Sequence, residues 1–117
     1  MNTTIGKIGE SYAKKFLLAK KYKFIAENYY SRFGEIDLIF LDNQELVFAE
    51  VKARKSDLFG SGADSLTFSK KRRIIKTLLY FLNTASKKQF RSWRIDLISV
   101  KLSHKNKLLE ISHIKNI

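Results

Sequence analysis

The segment GEIDLIFLDNQELVFAEVKARK, residues 34–55, is the part of the chain that most constrains its fold. It reads as two strands separated by a turn, for which Asp42 and Asn43 are typical residues. Side chains alternate between the two faces of a strand, and here apolar residues occupy both faces of each strand. Strands that are buried on both faces belong to a sheet covered by helices on both sides. The segment therefore predicts an α/β fold.

The rest of the sequence supplies helices and strands in the order α-β-β-β-α-β-β. Thr3 or Thr4 can cap a helix that runs to about position 21, and an apolar face predicts a second helix over residues 69–85. A loop is expected over residues 55–67. Strands are predicted over residues 24–30, 35–41, 45–53, 93–102 and 107–114. The helix between the third and fourth strands allows a parallel crossover, so we expect a mixed sheet flanked by two helices, with an extra C-terminal strand.

Length and composition limit the class of protein. The chain has 117 residues and no recognisable linker, which predicts one domain over residues 1–117. No apolar run is long enough to cross a membrane, and the N-terminal residues lack the apolar core of a secretion signal. The absence of cysteine fits a reducing compartment. We therefore expect a cytoplasmic protein without a membrane partner.

The positive charge of the chain favours a polyanionic partner. Lys and Arg total 23 against 11 Asp and Glu, a net charge of +12, and no acidic residue occurs between positions 65 and 95. This pattern favours nucleic acid first and an anionic membrane second, the alternative being that basic residues only keep the protein soluble. Four consecutive basic residues near the start of the second helix are the predicted nucleic-acid-binding residues: Lys70, Lys71, Arg72 and Arg73.

Three charged residues occupy the two central strands at positions where burial is expected. Asp37 lies in the second strand, and Glu50 and Lys52 lie in the third. If the loop between the strands is residues 43–44, Asp37 is directly opposite Glu50; if it is residues 42–43, Glu50 is diagonal to Asp37. In both registers the three side chains share one face of the sheet. A three-residue loop without a bulge would instead put them on opposite faces.

Two neighbouring carboxylates on one face indicate a site for a divalent cation. They repel each other, so one takes up a proton or a cation binds between them. Carboxylate oxygens suit Mg²⁺ or Mn²⁺, which keep several waters and accept phosphate oxygens. Lys52 would lie beside the same site and orient water or phosphate. Together with the basic surface this predicts phosphodiester hydrolysis, the alternative being ordinary exposed charges at strand ends.

Five segments carry a resemblance to a known family: GKIGESYAKKFL from Gly6, ENYYSRFGEIDLI from Glu27, VFAEVKAR from Val47, SKKRRI from Ser69 and RIDLISV from Arg94. Together they resemble the PD-(D/E)xK nuclease superfamily, whose core has the order α-β-β-β-α-β. Most closely they resemble the YraN-like family of predicted endonucleases, which is similar to archaeal Holliday-junction resolvases. The resemblance covers nearly the whole chain and implies a restriction-endonuclease-like fold.

The resemblance also implies roles for individual residues. Asp37 and Glu50 match the two metal carboxylates, and the backbone carbonyl of Val51 would be a further ligand. Lys52 matches the lysine of the superfamily, and Lys70, at the start of the second helix, matches a position that often carries an auxiliary polar group. Glu10 matches an acidic residue on the first helix near the metal, the alternative being a solvent-exposed charge at the edge of that helix. The implied catalytic residues are thus Glu10, Asp37, Glu50 and Lys52.

The expected function is that of a Mg²⁺- or Mn²⁺-dependent DNA endonuclease. Branched DNA is the substrate that the similarity to resolvases implies, and a homodimer is implied as well, because symmetric cutting of two strands needs two sites. One alternative is a non-catalytic nucleic-acid-binding module that retains the nuclease fold. Another is a protein-interaction subunit in which the carboxylates only tie the hairpin to basic neighbours.

Several other residues are expected to have structural roles. Glu35 is interpreted as an exposed charge at the start of a strand, the alternative being a carboxylate that supports the metal ligands from behind. Asp96 is expected to pair with Arg94 or another basic residue rather than to take part in catalysis. Tyr29, Tyr30 and Trp93 have rings that bases could stack on, but packing in the core or in a dimer is the interpretation we favour for all three.

Overall fold

The computed structural model describes residues 4–55, 66–84 and 90–117. Its elements are α1 (Thr4–Ala19), β1 (Lys23–Ser31), β2 (Gly34–Asp42), β3 (Glu45–Lys55), α2 (Phe68–Thr84), β4 (Ser92–Leu102) and β5 (Leu108–Ile114). The predicted order is confirmed, and the predicted boundaries that fall on described residues lie within two residues of the observed ones. Thr3, Ala85 and residues 56–65 of the predicted loop lie outside the described residues.

The five strands form one mixed sheet in the order β1-β2-β3-β4-β5. Strands β3 and β4 are parallel, as expected for two strands joined through a helix, and the other neighbours are antiparallel. Strand β5 extends the sheet beyond β4 as the extra C-terminal strand. The predicted α/β class, with a mixed sheet and two helices, is therefore confirmed.

The two helices cover opposite faces of the sheet, as the apolar residues on both faces of β2 and β3 require. The core on the α1 side includes Ala13, Leu17, Leu38, Phe40, Val47 and Ala49. The core on the α2 side includes Ile39, Leu46, Phe48, Ile74 and Leu78. Neither helix in the described part of the chain is long and apolar enough to span a membrane.

Helix α1 approaches the sheet most closely at Gly9. A Cβ atom added to Gly9 would collide with the Cβ atom of Ala53 in β3 and would lie 3.6 Å from its Cα atom. Glycine is required here because of this close approach of helix and strand. The same approach brings the next residue, Glu10, into a buried position beside the sheet.

Helix α2 begins at a threonine cap. Oγ1 of Thr67 accepts a hydrogen bond of 3.1 Å from the backbone N–H of Lys70. Such a cap satisfies one of the free N–H groups of the first turn and defines where the helix starts. Lys70 and Arg73, in the first two turns of α2, line the same cleft as Asp37 and Glu50.

A buried polar network surrounds Asp96 in β4. Asp96 is fully buried and accepts hydrogen bonds from Nε of Arg94 at 3.0 Å, Nε2 of His113 at 2.6 Å and the backbone N–H of Asn116 at 2.9 Å. Burial by itself raises the pKa of Asp96, but the hydrogen bonds from His113, Arg94 and Asn116 outweigh it and hold the pKa below its usual value. The predicted pairing of Asp96 with Arg94 is thus confirmed.

Arg94 connects this network to the β2–β3 hairpin. Its Nη1 donates to Oδ2 of Asp42 at 3.1 Å and to Oε1 of Glu45 at 2.8 Å. Its Nη2 donates to the hydroxyl of Tyr22 at 3.0 Å. The guanidinium group therefore joins the chain after α1, the turn between β2 and β3, and strand β4.

Candidate functional site

Asp37 and Glu50 lie side by side on adjacent strands. The β2–β3 ladder ends at the pair Leu38–Ala49, and the next position of the same register sets Asp37 opposite Glu50. The loop of the hairpin is residues 43–44, the first of the two registers allowed by the sequence. The prediction that both carboxylates share one face of the sheet is therefore confirmed.

Both carboxylates are buried and each has a polar partner. Asp37 is 8% exposed and Glu50 is 5% exposed. Oδ2 of Asp37 accepts a hydrogen bond of 2.8 Å from the backbone N–H of Val51. Oε2 of Glu50 forms an ion pair with Nζ of Lys70. The pair is thus held in place from the backbone of β3 and from the first turn of α2.

The proximity of the two carboxylates changes the protonation of Asp37. Burial, followed by repulsion from Glu50, raises the pKa of Asp37 from 3.8 to about 8, against the opposing hydrogen bond from Val51. At neutral pH, and without a cation, Asp37 therefore carries a proton.

This raised pKa predicts how stability depends on pH in the absence of metal. The folded chain binds a proton on Asp37 that the unfolded chain has lost, so the free energy of unfolding should fall as pH rises from about 4 through about 8. Asp37→Asn should remove this loss and make the protein more stable than the wild type at pH 9. We expect a difference of about 2 kcal/mol or more, because one pKa unit corresponds to about 1.4 kcal/mol.

Urea unfolding at pH 5 and pH 9, in the presence of a chelator, would measure this effect. Glu110 is exposed on β5, so Glu110→Gln is a matched loss of one carboxylate that should leave the pH profile unchanged. If Asp37→Asn loses as much stability as the wild type between pH 5 and pH 9, Asp37 is not protonated in the folded protein.

A cleft of about 130 Å³ opens at the carboxylate pair. We call it the carboxylate cleft; it is lined by Gly34, Glu35, Asp37, Glu50, Lys70, Arg73 and Ile74. The prediction that Glu35 is an exposed charge is wrong, because Glu35 is half-buried and its Oε2 atom is buried without a hydrogen-bond partner among the described residues. Its position two residues before Asp37 in one strand was the available signal, since such residues share a face.

Glu10 reaches the neighbourhood of the cleft from α1. It is 9% exposed, and its pKa is raised by burial and then by the charge of Glu35, while a hydrogen bond with Asn28 opposes the shift. Glu10 also contributes to the raised pKa of Asp37. Within residues 4–55, 66–84 and 90–117, however, no three carboxylate or histidine side chains are close enough to share a metal ion. Glu10 is therefore near the pair without completing a three-carboxylate set.

Lys52 and Lys70 differ in their relation to the cleft. Lys52 lies on the same face of β3 as Glu50, because the strand alternates without a bulge, and it is half-buried. It is not among the residues that line the carboxylate cleft, whose two cationic residues are Lys70 and Arg73. Lys70 was expected on the nucleic-acid surface, and the structure pairs its ammonium group with Glu50.

A second cleft, of about 220 Å³, lies along the exposed side of α2. We call it the basic cleft; it is lined by Ser69, Arg72, Arg73 and Lys76. Arg73 lines both clefts, so positive charge continues from the carboxylates onto α2. Lys71, in contrast, is half-buried and lines neither cleft.

The residues of the carboxylate cleft fit a divalent cation. Asp37 and Glu50 offer adjacent carboxylate oxygens, whereas Glu35 lines the same cleft without being close enough to both of them to form a three-carboxylate set. Mg²⁺ commonly uses one or two protein carboxylates and keeps several waters, so a larger protein set is not required. A cation at Glu50 would compete with the ammonium group of Lys70 and would displace the proton of Asp37.

Comparison of the sequence with protein families identifies the group to which this chain belongs. A family model described as "Uncharacterised protein family UPF0102" matches residues 9–100. The chain belongs to the UPF0102 family. The resemblance to YraN-like proteins is thereby confirmed at the level of the family. The matched range contains every residue of the carboxylate cleft and of the basic cleft.

UPF0102 proteins of several bacteria are similar to this chain over most of their length. One from Vibrio parahaemolyticus is 41% identical over 96 residues, which cover 82% of this chain and 79% of the relative. Another, from Caldanaerobacter subterraneus, is 37% identical over 114 residues, covering 97% and 93%. A third, from Acinetobacter baumannii, is 40% identical over 94 residues, covering 80% and 71%.

Among solved structures, this UPF0102 chain aligns with the restriction endonuclease BglII in complex with a DNA 16-mer. The alignment has 15% sequence identity and a TM-score of 0.28, and it covers 97% of this chain and 69% of the endonuclease. The fold class given above rests on the element order and the strand pairing of the UPF0102 chain itself.

Proposed function

We propose that this protein is a DNA endonuclease that hydrolyses phosphodiester bonds with Mg²⁺ or Mn²⁺. One observation carries the proposal: a buried carboxylate pair, Asp37 and Glu50, lies in a cleft that continues through Arg73 into a basic cleft. Carboxylates beside phosphate-binding cations are the combination that metal-assisted phosphodiester hydrolysis needs. The net charge of +12 further supports a nucleic-acid substrate.

In this proposal the residues in and beside the carboxylate cleft have separate roles. Asp37 and Glu50, together with the backbone carbonyl of Val51, would hold the cation. The bound cation would lower the pKa of water and polarise the phosphate. Lys52, on the same face of β3 as Glu50, would orient the attacking water or the phosphate. Arg73 would bind the phosphate between the two clefts.

Glu10 would assist the hydrolysis from helix α1. Its carboxyl group interacts electrostatically with Glu35, which lines the cleft, and with Asp37. Burial raises the pKa of Glu10, so its carboxyl group keeps a proton to higher pH than an ordinary carboxyl group does. Its role is therefore proposed as an aid to proton movement around the pair.

A nicking assay tests the proposal directly. Purified protein would be incubated with duplex, flapped, branched and single-stranded DNA, with Mg²⁺, with Mn²⁺ and with a chelator. We expect strand cleavage that requires the cation and disappears when the chelator is added. Branched DNA is included because the resemblance to resolvases implies it. If none of these substrates is cut with either cation, the endonuclease proposal is wrong.

Charge reversal in the basic cleft should weaken binding to DNA. Arg72→Glu combined with Arg73→Glu should lower the affinity for DNA at least ~10-fold for all sequences alike, because phosphate contacts contribute to binding independently of sequence. The slope of log K against log salt should also become less steep, by about 0.9 for each phosphate contact that is lost. Lys105 and Lys107 are exposed near the β4–β5 turn, so reversing both is a matched control for the total charge. Equal losses in the two double variants would mean that DNA does not bind at the basic cleft.

The second candidate is a nucleic-acid-binding module without catalysis. It is favoured by one observation: Lys70 pairs with Glu50, so the charge of Glu50 is already balanced without a cation. Under this alternative, DNA binding would depend on salt and on the basic cleft, and neither cation would bind at the pair. Metal titration together with the nicking assay separates the two functions.

A further inference from the structure

A third pocket, of about 320 Å³, lies between the β1–β2 turn and the C-terminal part of α2. It is lined by Tyr30, Ser31, Arg32, Phe33 and Tyr80. Three of its five residues are aromatic, and two of these are largely exposed: Tyr30 by 62% and Tyr80 by 52%. We call it the aromatic pocket.

The exposed tyrosines are not explained by the core. The neighbouring Tyr29 packs its ring edge-on against Phe81, with 5.2 Å between the ring centroids, and so belongs to the core on the α2 side. Tyr30 and Tyr80 instead present their rings to solvent around the aromatic pocket. Exposed rings around a concave site form a surface on which a flat aromatic ligand can stack.

Two cationic side chains lie over the ring of Phe33 in the aromatic pocket, and positive charge favours a nucleic-acid ligand. The guanidinium carbon of Arg32 lies 5.0 Å from the ring centroid of Phe33, and Nζ of Lys76 lies 5.6 Å from the same centroid. Lys76 lines the basic cleft, so a cation of that cleft lies over a ring of the aromatic pocket. Stacking rings beside a positively charged groove are the features by which proteins bind unpaired nucleotides.

The aromatic pocket also adjoins the carboxylate cleft. Tyr30 in β1 pairs directly with Glu35 in β2, and Glu35 lines that cleft. A DNA strand whose phosphates lie in the basic cleft would therefore be close both to the aromatic pocket, which is large enough for a base, and to the carboxylate cleft.

We propose that the aromatic pocket binds one unpaired nucleobase of the DNA whose phosphates occupy the basic cleft. The inference rests on the proposed function and narrows its substrate to DNA with an unpaired nucleotide beside the bond that is cut. A base inside a regular duplex is stacked and paired, and it cannot enter such a pocket without leaving the helix. Recognition would depend on the flat face of the base, so little sequence preference is expected.

The test uses three duplexes that differ at one position. The first carries a single unpaired 2-aminopurine, the second carries an abasic nucleotide at that bulge, and the third is fully paired. Binding is measured by fluorescence anisotropy in the presence of a chelator, so that no strand is cut. We expect the unpaired base to bind about 10-fold more tightly than the abasic bulge, with quenching of its fluorescence by the tyrosine rings.

Variants of Tyr80 assign the effect to the pocket. Tyr80→Ala should remove the preference for the unpaired base, whereas Tyr80→Phe, which keeps the ring, should retain it. Leu18→Ala is the matched control, because Leu18 is another exposed apolar residue, 45% exposed, on α1. The losses from Tyr80→Ala and from the abasic nucleotide should not add, since each removes one side of the same contact.

The outcomes also separate this inference from the endonuclease proposal. Equal binding of the three duplexes, or additive losses, overturns the aromatic pocket as a base site, even where Mn²⁺-dependent cleavage is observed. A preference for the unpaired base that Tyr80→Ala abolishes supports the pocket, even where no DNA is cut and the endonuclease proposal fails.

Discussion

Replacing Asp37 with asparagine is expected to abolish cleavage of DNA and to weaken binding of Mn²⁺. Glu50→Gln should have the same two effects, because each change removes one of the two adjacent anionic ligands. Lys52→Ala should behave differently, since it removes a positive charge from the same face and leaves both carboxylates in place. We expect Mn²⁺ binding by this variant to equal or exceed that of the wild type, while cleavage falls by ~10²-fold or more.

Lys70→Ala adds a result that depends on the observed ion pair. Lys70 contacts Glu50, so a cation must displace its ammonium group, and its removal should increase the affinity for Mn²⁺. Lys71→Ala is the matched control, because Lys71 is the next residue of α2 and lines neither cleft. It should leave Mn²⁺ binding unchanged.

Calorimetric titration of Mn²⁺ beside a nicking assay on the same variants provides the measurement. DNA affinity should survive Asp37→Asn, Glu50→Gln and Lys52→Ala, because the basic cleft supplies most of the binding. The endonuclease proposal is wrong if Lys52→Ala cuts at the wild-type rate while Asp37→Asn binds Mn²⁺ normally. The binding-module function would then replace it.

Replacing Arg94 with methionine is expected to destabilise the protein by about 3–5 kcal/mol, the range found when one partner of a buried ion pair is removed. The carboxylate of Asp96 is fully buried and would lose the guanidinium group, keeping only its hydrogen bonds with His113 and the backbone N–H of Asn116. Asp42 and Glu45 would lose the same guanidinium group, but they are partly exposed and can return to water. The main cost therefore lies at Asp96.

The Arg94 effect can be measured by urea unfolding at neutral pH. Arg94→Met combined with Asp96→Asn should be more stable than Arg94→Met alone, because the second change removes the buried charge. Arg91→Met is the control: Arg91 is exposed, and its loss should change stability by no more than about 0.5 kcal/mol. If Arg94→Met is no more destabilising than Arg91→Met, the network does not stabilise the fold.

Acid should weaken the same network in the wild type. The pKa of Asp96 is lower in the folded protein than its ordinary value of 3.8. Its contribution to stability is therefore fully present above about 3.8 and is lost as pH falls through the lower folded value. In Arg94→Met this loss on acidification should become smaller, because one of the hydrogen bonds that hold the pKa down is gone.

The sequence by itself determined the element order and the relation between Asp37 and Glu50. Alternation along a strand and the length of a tight turn depend on residues that are adjacent in the chain. The observed loop of residues 43–44 therefore puts both carboxylates on one face, as one of the two predicted registers requires. Apolar residues on both faces of β2 and β3 were likewise sufficient to predict a helix on each side of the sheet.

Only the tertiary structure decided which charged groups meet. The ion pair of Lys70 with Glu50 depends on how α2 is capped at Thr67 and where it lies on the sheet. In the same way, the burial of Glu35 and the aromatic pocket arise where elements distant in sequence come together. Such contacts depend on the packing of whole helices against the sheet; alternation along a strand can show which face a residue such as Glu35 occupies, but not which side chains meet it there.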